Sequence, residues 1–461
     1  MQPPQSRCNL DLVKAKQAQS RQRKAMSAWR EEKNAWQFGL ASSPNKIDPR
    51  IMHHQTLYAL SRLGIHRNFK QATSVPSENS SHQKRGAPHS NLGTLTHRSK
   101  TDMNMPTIHN YSAGPCILPQ EVLEQASKAV RSWDDHGLSL VEMSHRSKAF
   151  VEVMDECRAL TKELLGLPDR FEVLYLQGGA SLGFLTAAMN FIPEGGQAAY
   201  ADTGTWSAKA IKEAKHAGKV NVVTSSKESN YDHIPDVGEV GADNAFLHIT
   251  TNNTIFGTQY ASMPQSNVPL VADMSSDILS RTFDSEPFAL IYGGVQKNMG
   301  PAGAVMYAVD TERLGQTGRN IPSYLDLDVH LGKDSMFNTP PVFSVYTTLL
   351  TLRWLKARGG VAAIQKENEA KSALLYSEID RNALFSGHAQ PGSRSHMNVT
   401  FRLNDDAHAA AFDAAWNAAN ISGLKGHRSV GGYRASMYNA LPLSSVQVLV
   451  DVMNEFERTQ G

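Results

Sequence analysis

The chain has 461 residues, 41% of them hydrophobic and 20% charged, and carries a net charge of +2. That length and apolar content suffice for more than one domain with a sizeable core, and no apolar run reaches the roughly 18 residues of a membrane span. Its three cysteines, Cys8, Cys116 and Cys157, show no metal-ligand spacing, which argues against a metal site or a disulfide scaffold and for a reduced, cytoplasmic setting.

The small net charge hides a division. Residues 1–105 hold 17 Lys and Arg against 6 Asp and Glu, a surplus of +11 that leaves the remainder at −9. A basic stretch that can be helical, Leu10 to Trp36, gives way to SVPSENSSHQKRGAPHSN, with too few apolar residues to fold alone. We expect a basic, disordered extension over 1–105. Its origin has three competing readings, a native basic tail, an organellar transit segment and sequence upstream of the true start; the last is favoured, with Met103 and Met105 just before PTIHNYSAGP, and Glu31 and Glu32 count against a transit segment. No apolar stretch of the secretory kind follows the N-terminus, and positive charge alone is weak support for nucleic-acid binding, which is not expected.

Beyond the extension, short apolar strands are predicted at 171–176, 198–202, 220–225, 245–250, 269–273 and 288–292, with helical segments between them. This alternation predicts an α/β fold built on a mostly parallel sheet with helices on both faces, and a ligand at the strand ends. The first strand runs through Gly178 and Gly179 into a helix, so the backbone N–H groups of Ala180 and Ser181 can face an anion. Trp206, after the second strand, can stack on a flat ring, although a lone tryptophan also suits a core. The strand at 269–273 ends in Asp273, a carboxylate placed to pair with a protonated pyridine nitrogen or to cap a helix. The strand at 288–292 breaks at Gly293–Gly294 and delivers Lys297 into a loop kept from helix by Gly300, Pro301 and Gly303. A partly desolvated lysine there loses its proton more readily and becomes a nucleophile suited to a Schiff base. A helical stretch follows at 345–357, then a break at Gly359–Gly360, a strand at 398–403, and a closing helix with Val446, Leu449, Val450, Met453 and Phe456 on one face. The expected domains are therefore 106–360, large and ligand-binding, and 361–461, a smaller C-terminal α/β domain. Two segments, SHR and GHR, set His145 beside Arg146 and His427 beside Arg428, and Arg434 follows; arginine forks are favoured partners of carboxylates and phosphates, or plain surface charge.

From Ile108 onward, the motifs NYSAGPCILP, SHRSKAF, GGAS, TGTW, NNTIFGT, DMSSDILSR, QKNMGPAG, MFNTPP and KGHRSVGGYRASMYNA resemble the phosphoserine aminotransferase family, fold-type I pyridoxal phosphate enzymes of the class-V aminotransferase group. The resemblance implies that Lys297 forms the Schiff base with the cofactor and that Asp273 pairs with its ring nitrogen. Trp206 would stack on the ring, and Thr254 would bond its hydroxyl. Ala180, Ser181 and Gln296 would hold its phosphate, with Asn338 and Thr339 reaching in from the other subunit of a homodimer. Arg434 would bind the substrate α-carboxylate, and His145, Arg146, His427 and Arg428 its distal anion. Some members carry Arg where this chain has Ser181, which puts a side-chain contribution there in doubt. The implied reaction interconverts 3-phosphohydroxypyruvate and O-phospho-L-serine with glutamate and 2-oxoglutarate, in L-serine biosynthesis, with 4-phosphohydroxy-L-threonine of pyridoxine biosynthesis as a further candidate substrate. Another class-V transaminase, acting on alanine or serine with glyoxylate, is the alternative that the His-Arg pairs argue against. A binding protein on an inactive fold is made improbable by the presence of both Lys297 and Asp273.

Overall fold

The computed structural model describes residues 107–461, so the expectations for the extension lie outside the described residues. In chain order the elements are β1 (His109–Asn110), α1 (Gln120–Arg131), α2 (Lys148–Leu165), β2 (Phe171–Gly178), α3 (Ala180–Phe191), β3 (Gln197–Asp202), α4 (Thr205–Ala214), β4 (Lys219–Ser225), β5 (Leu247–Thr250), β6 (Asn252–Asn253), β7 (Thr258–Gln259), β8 (Leu270–Asp273), β9 (Phe288–Gly294) and β10 (Gly303–Asp310). They continue with α5 (Leu327–Leu331), α6 (Val342–Ala357), α7 (Gly360–Arg381), β11 (Phe385–Gly387), β12 (Asn398–Leu403), α8 (Ala409–Ala418), β13 (Ile421–Ser422), β14 (Tyr433–Ser436) and α9 (Leu443–Gln460).

Seven strands form one sheet in the order β2-β10-β9-β8-β5-β3-β4. All six strands predicted for this region are in it, and β8, β5 and β9 are buried along their whole length, as their unbroken apolar runs require of strands covered on both faces. The strand β10 was not foreseen. It pairs antiparallel with β9 and with β2, because the short link from Gly294 to Gly303 cannot hold the crossover helix that parallel pairing needs. One face of the sheet is covered by α1, α2 and α6, the other by α3 and α4, each over its own apolar cluster. On the second face a Cβ on Gly183 of α3 would lie 2.7 Å from Tyr292 Cδ2 of β9, so glycine is what lets this helix settle against the central strands.

The C-terminal region has its own core. An antiparallel sheet, β11-β12-β14, packs on α7, α8 and α9 through Phe385, Phe401, Phe412, Tyr433 and Phe456, with Phe412 edge-on to both Phe385 and Tyr433 at 4.9 Å. The first described residues join this core. The strand β1 pairs with β13, and buried Tyr111 donates from its hydroxyl to Ser445 O at 2.7 Å. The sequence reading had counted that segment with the large region. No helix among the described residues is long and apolar enough to cross a membrane.

Buried Lys371 of α7 ties the region together. Its Nζ donates to Met437 O, Tyr438 O and Leu441 O at 3.0–3.1 Å. Burial pulls its pKa down toward about 7, yet three acceptors can be served only by the three N–H bonds of the ammonium, so we take it as charged. Lys371→Met strands three buried carbonyls and should lower unfolding free energy by about 3 kcal/mol. A chemical-denaturation midpoint unchanged from wild type would show that the carbonyls find other partners.

Candidate active site

The C-terminal ends of β9, β8 and β5 lie side by side, and that of β2 lies at the same edge beyond the start of β10, where ligands of such sheets bind. The cavity of about 320 Å³ at those ends is lined by Ala180, Ser181, Trp206, Thr254, Asp273, Gln296, Lys297, His427 and Arg434 among others. A cavity of about 530 Å³ lies elsewhere, along Arg281, Asn368, Tyr376 and Arg394. Its arginines are already neutralised, Arg281 by Asp277 and Arg394 by Asp380, and no lysine lines it, so the smaller cavity, which brings a lysine and an enclosed carboxylate together, is where Schiff-base chemistry can occur.

Lys297 follows β9 in the turn the glycines impose, and its side chain is buried. Its Nζ donates to Thr254 Oγ1 at 3.1 Å and stands 5.9 Å from the centre of the Trp206 ring. Burial drives its pKa below the ordinary lysine value, and only partly does Asp273 oppose this, so the neutral, nucleophilic amine is favoured. The thiol of Cys116 donates to Lys297 O at 2.7 Å, and Gly114, at φ 140°, lets the chain cross close to the lysine stem.

Asp273 ends β8 fully enclosed. Burial raises its pKa, and Ser275 opposes that rise by donating from its N–H at 2.9 Å and its hydroxyl at 2.5 Å, both to Oδ1. Oδ2 accepts no hydrogen bond among the described residues and is left for the cavity. Ser275 was given no part in the site from the sequence. Its spacing from Asp273 is that of an Asx turn, a signal that could have identified it as the residue that orients the carboxylate. Ser276 and Asn252 also line the cavity and bond each other at 2.8 Å; nothing in the sequence marked Asn252.

At the mouth, Tyr433 turns into the aromatic core, so strand alternation puts Arg434 on the opposite face. There its Nη1 reaches Thr254 O at 3.4 Å, while its Nε is buried without an acceptor. Beside it, burial, Arg434, Arg428 and Lys209 hold the His427 imidazole below its usual pKa. The helix α3 begins at extended Gly179 with no side-chain cap, which leaves the N–H groups of Ala180 and Ser181 open to an anion. Free N–H donors, an unused carboxylate oxygen, an indole face and a deprotonable lysine match the phosphate, ring nitrogen, ring and aldehyde of pyridoxal phosphate. The residues present therefore fit that group.

Five expected residues stand outside this cavity. Arg146 and Arg428 are exposed, His145 is half-buried with Nε2 unpartnered, and Asn338 and Thr339 are bonded to Gln177 at 3.3 and 2.6 Å at the end of β2.

The class-V aminotransferase family model matches residues 108–449. The chain belongs to the class-V aminotransferase family. Among its relatives, phosphoserine aminotransferases of Flavobacterium psychrophilum and Flavobacterium johnsoniae are each 60% identical over 350 residues, which is 76% of this chain and 98% of theirs. The solved phosphoserine aminotransferase of Bacillus circulans subsp. alkalophilus superposes with a TM-score of 0.75 at 42% identity, covering 77% of this chain and 99% of that one. The pyridoxal phosphate-bound enzyme of Trichomonas vaginalis superposes at 0.72 with 34% identity, over 76% of this chain and all of its own. In this class-V aminotransferase, Lys297 and Asp273 line one cavity.

Proposed function

We propose that this class-V aminotransferase, with pyridoxal phosphate as cofactor, moves the amino group between O-phospho-L-serine and 2-oxoglutarate, giving 3-phosphohydroxypyruvate and glutamate, as a step of L-serine biosynthesis. The observation that carries the reading is one cavity holding Lys297, Asp273 and Arg434, in a chain 60% identical to phosphoserine aminotransferases. Bound pyridoxal phosphate supplies an electron sink for the bond broken at the substrate Cα. Asp273 Oδ2 is the acceptor for the ring nitrogen proton, held in place by Ser275. Lys297, whose proton burial makes easier to lose, would take the Cα proton at Nζ and pass it to the C4′ carbon of the bound cofactor. Arg434 receives the α-carboxylate, and Ala113 and Gly114 form the cavity wall beside the lysine.

The distal anion falls to the His-Arg pairs. His427 lines the cavity, whereas Arg146 and Arg428 are exposed in the single chain. The segments bearing Arg146 and Asn338 also carry exposed apolar side chains, Leu138, Val141 and Phe337, a pattern suited to a second copy. This supports a homodimer in which those segments serve the neighbouring cavity, and sedimentation of the purified protein tests it. We place the enzyme in the cytoplasm, where free Cys116 and Cys157 stay reduced.

The direct test is glutamate formation from O-phosphoserine and 2-oxoglutarate by the purified holoenzyme; a protein that turns over alanine and glyoxylate but not O-phosphoserine would overturn the reading. A phosphate near two negative charges gains charge-assisted bonds that a methyl group cannot. Arg146→Ala and Arg428→Ala should each lower kcat/KM for O-phosphoserine by about 100-fold while changing that for alanine by less than about threefold. Arg434→Ala should weaken both alike. An unchanged ratio of the two substrates in both distal variants would put the phosphate site elsewhere.

A further inference from the structure

One cation near the mouth has no assigned part. Lys209 sits on α4 one turn after Trp206, and its Nζ lies 4.2 Å from the centre of the indole ring, close enough for a cation–π contact. It does not line the cavity that Trp206 lines, so it stands outside the space a cofactor ring would take. Among the described residues, the lysines that pair with carboxylates are Lys148, Lys356 and Lys425; Lys209 has no such partner, although Glu213 follows it at i+4 on the same helix. Its field reaches His427, where it acts with Arg434 and Arg428 in disfavouring a further positive charge. His427 and Arg434, which line the cavity, thus have Arg428 and Lys209 near enough outside it for their fields to add, and the indole holds Lys209 in place.

We propose that Lys209 is a specificity-determining residue that favours the doubly charged phosphorylated substrate over singly charged and neutral amino acids through its field at the cavity mouth. The proposal rests on the reading given under the proposed function. A fixed charge acting at a distance through solvent stabilises a distal group in proportion to that group's charge. The logarithm of its effect on kcat/KM should then stand as two to one to zero for O-phosphoserine, glutamate and alanine. A lysine that only braces the Trp206 ring would instead affect all three equally, through the cofactor.

The test is Lys209→Met holoenzyme, assayed with the three amino donors at low ionic strength. We expect kcat/KM to fall about fivefold for O-phosphoserine and about twofold for glutamate, with alanine unchanged, the loss appearing in KM. Lys209→Arg should restore the wild-type pattern. Near 1 M salt, where the screening length is about 3 Å, the differences should vanish. Equal losses for all three donors, or losses that persist in high salt, overturn the proposal. A wild-type enzyme inactive on O-phosphoserine overturns the substrate reading instead, and the glutamate–alanine pair still reads the charge dependence.

Discussion

Lys297→Ala is expected to lose turnover by more than about 10⁴-fold, because one substitution removes both the nucleophile and the base that handles the Cα proton. The fold should survive, since the lysine makes a single side-chain hydrogen bond, to Thr254. The variant should keep its dichroism spectrum and thermal midpoint while losing the visible absorption of covalently held cofactor. In the wild-type apoprotein, reconstitution should speed up as pH rises, because only the neutral amine attacks. The midpoint of that rise should fall below an ordinary lysine's, as burial requires. A yellow, borohydride-reducible adduct on another lysine in Lys297→Ala would sink the assignment.

Asp273→Asn should cost about 10²- to 10³-fold in kcat, the magnitude of losing one preorganised electrostatic partner in an enclosed site. Asparagine keeps the shape and can still accept from Ser275, so stability should change little, and the defect should lie in chemistry rather than in donor KM. A companion variant, Ser275→Ala, releases the carboxylate from both its hydroxyl bond and part of its orientation. It should fall between wild type and Asp273→Asn. Wild-type kcat in Asp273→Asn would mean that the ring proton is held by another group.

What was legible in the sequence was local. Lys297 and Asp273 each end an apolar run cut off by glycine or serine, so strand, turn and reactive side chain fall within one short window. The same holds for the open N–H groups at Ala180 and Ser181. The strand β10 begins only after the loop that carries Lys297, and although the short link from β9 sets its direction, its place in the sheet depends on a partner, β2, more than a hundred residues earlier. The joining of residues 109–117 to the C-terminal core is likewise a pairing across the length of the chain. Lys371 looks like any helix lysine until the three carbonyls that turn toward it are seen. Arg434 was found because its motif is distinctive, but that it faces Thr254 follows from Tyr433 turning into the aromatic core. The five residues outside the cavity carry roles that the motifs imply and that the single chain does not bring to it.

The pairing of β1 with β13, with His109 and Tyr111 both bonded to Ser445, has a consequence for biogenesis. The segment just after these residues supplies Ala113 and Gly114 to the cavity wall, and Ala113 O is held by the hydroxyl of Tyr438 at 2.8 Å. A wall that needs residues near 110 and near 440 cannot close during synthesis; it waits for the last helix to leave the ribosome, a contact of the longest and slowest kind. The large sheet can form earlier, with Lys297 already in its turn but open to water on one side. Nascent chains should therefore bind cofactor weakly, and tight capture should follow only once α9 is available. Cofactor retention then becomes a quality signal, separating finished molecules from those stalled or clipped before α9.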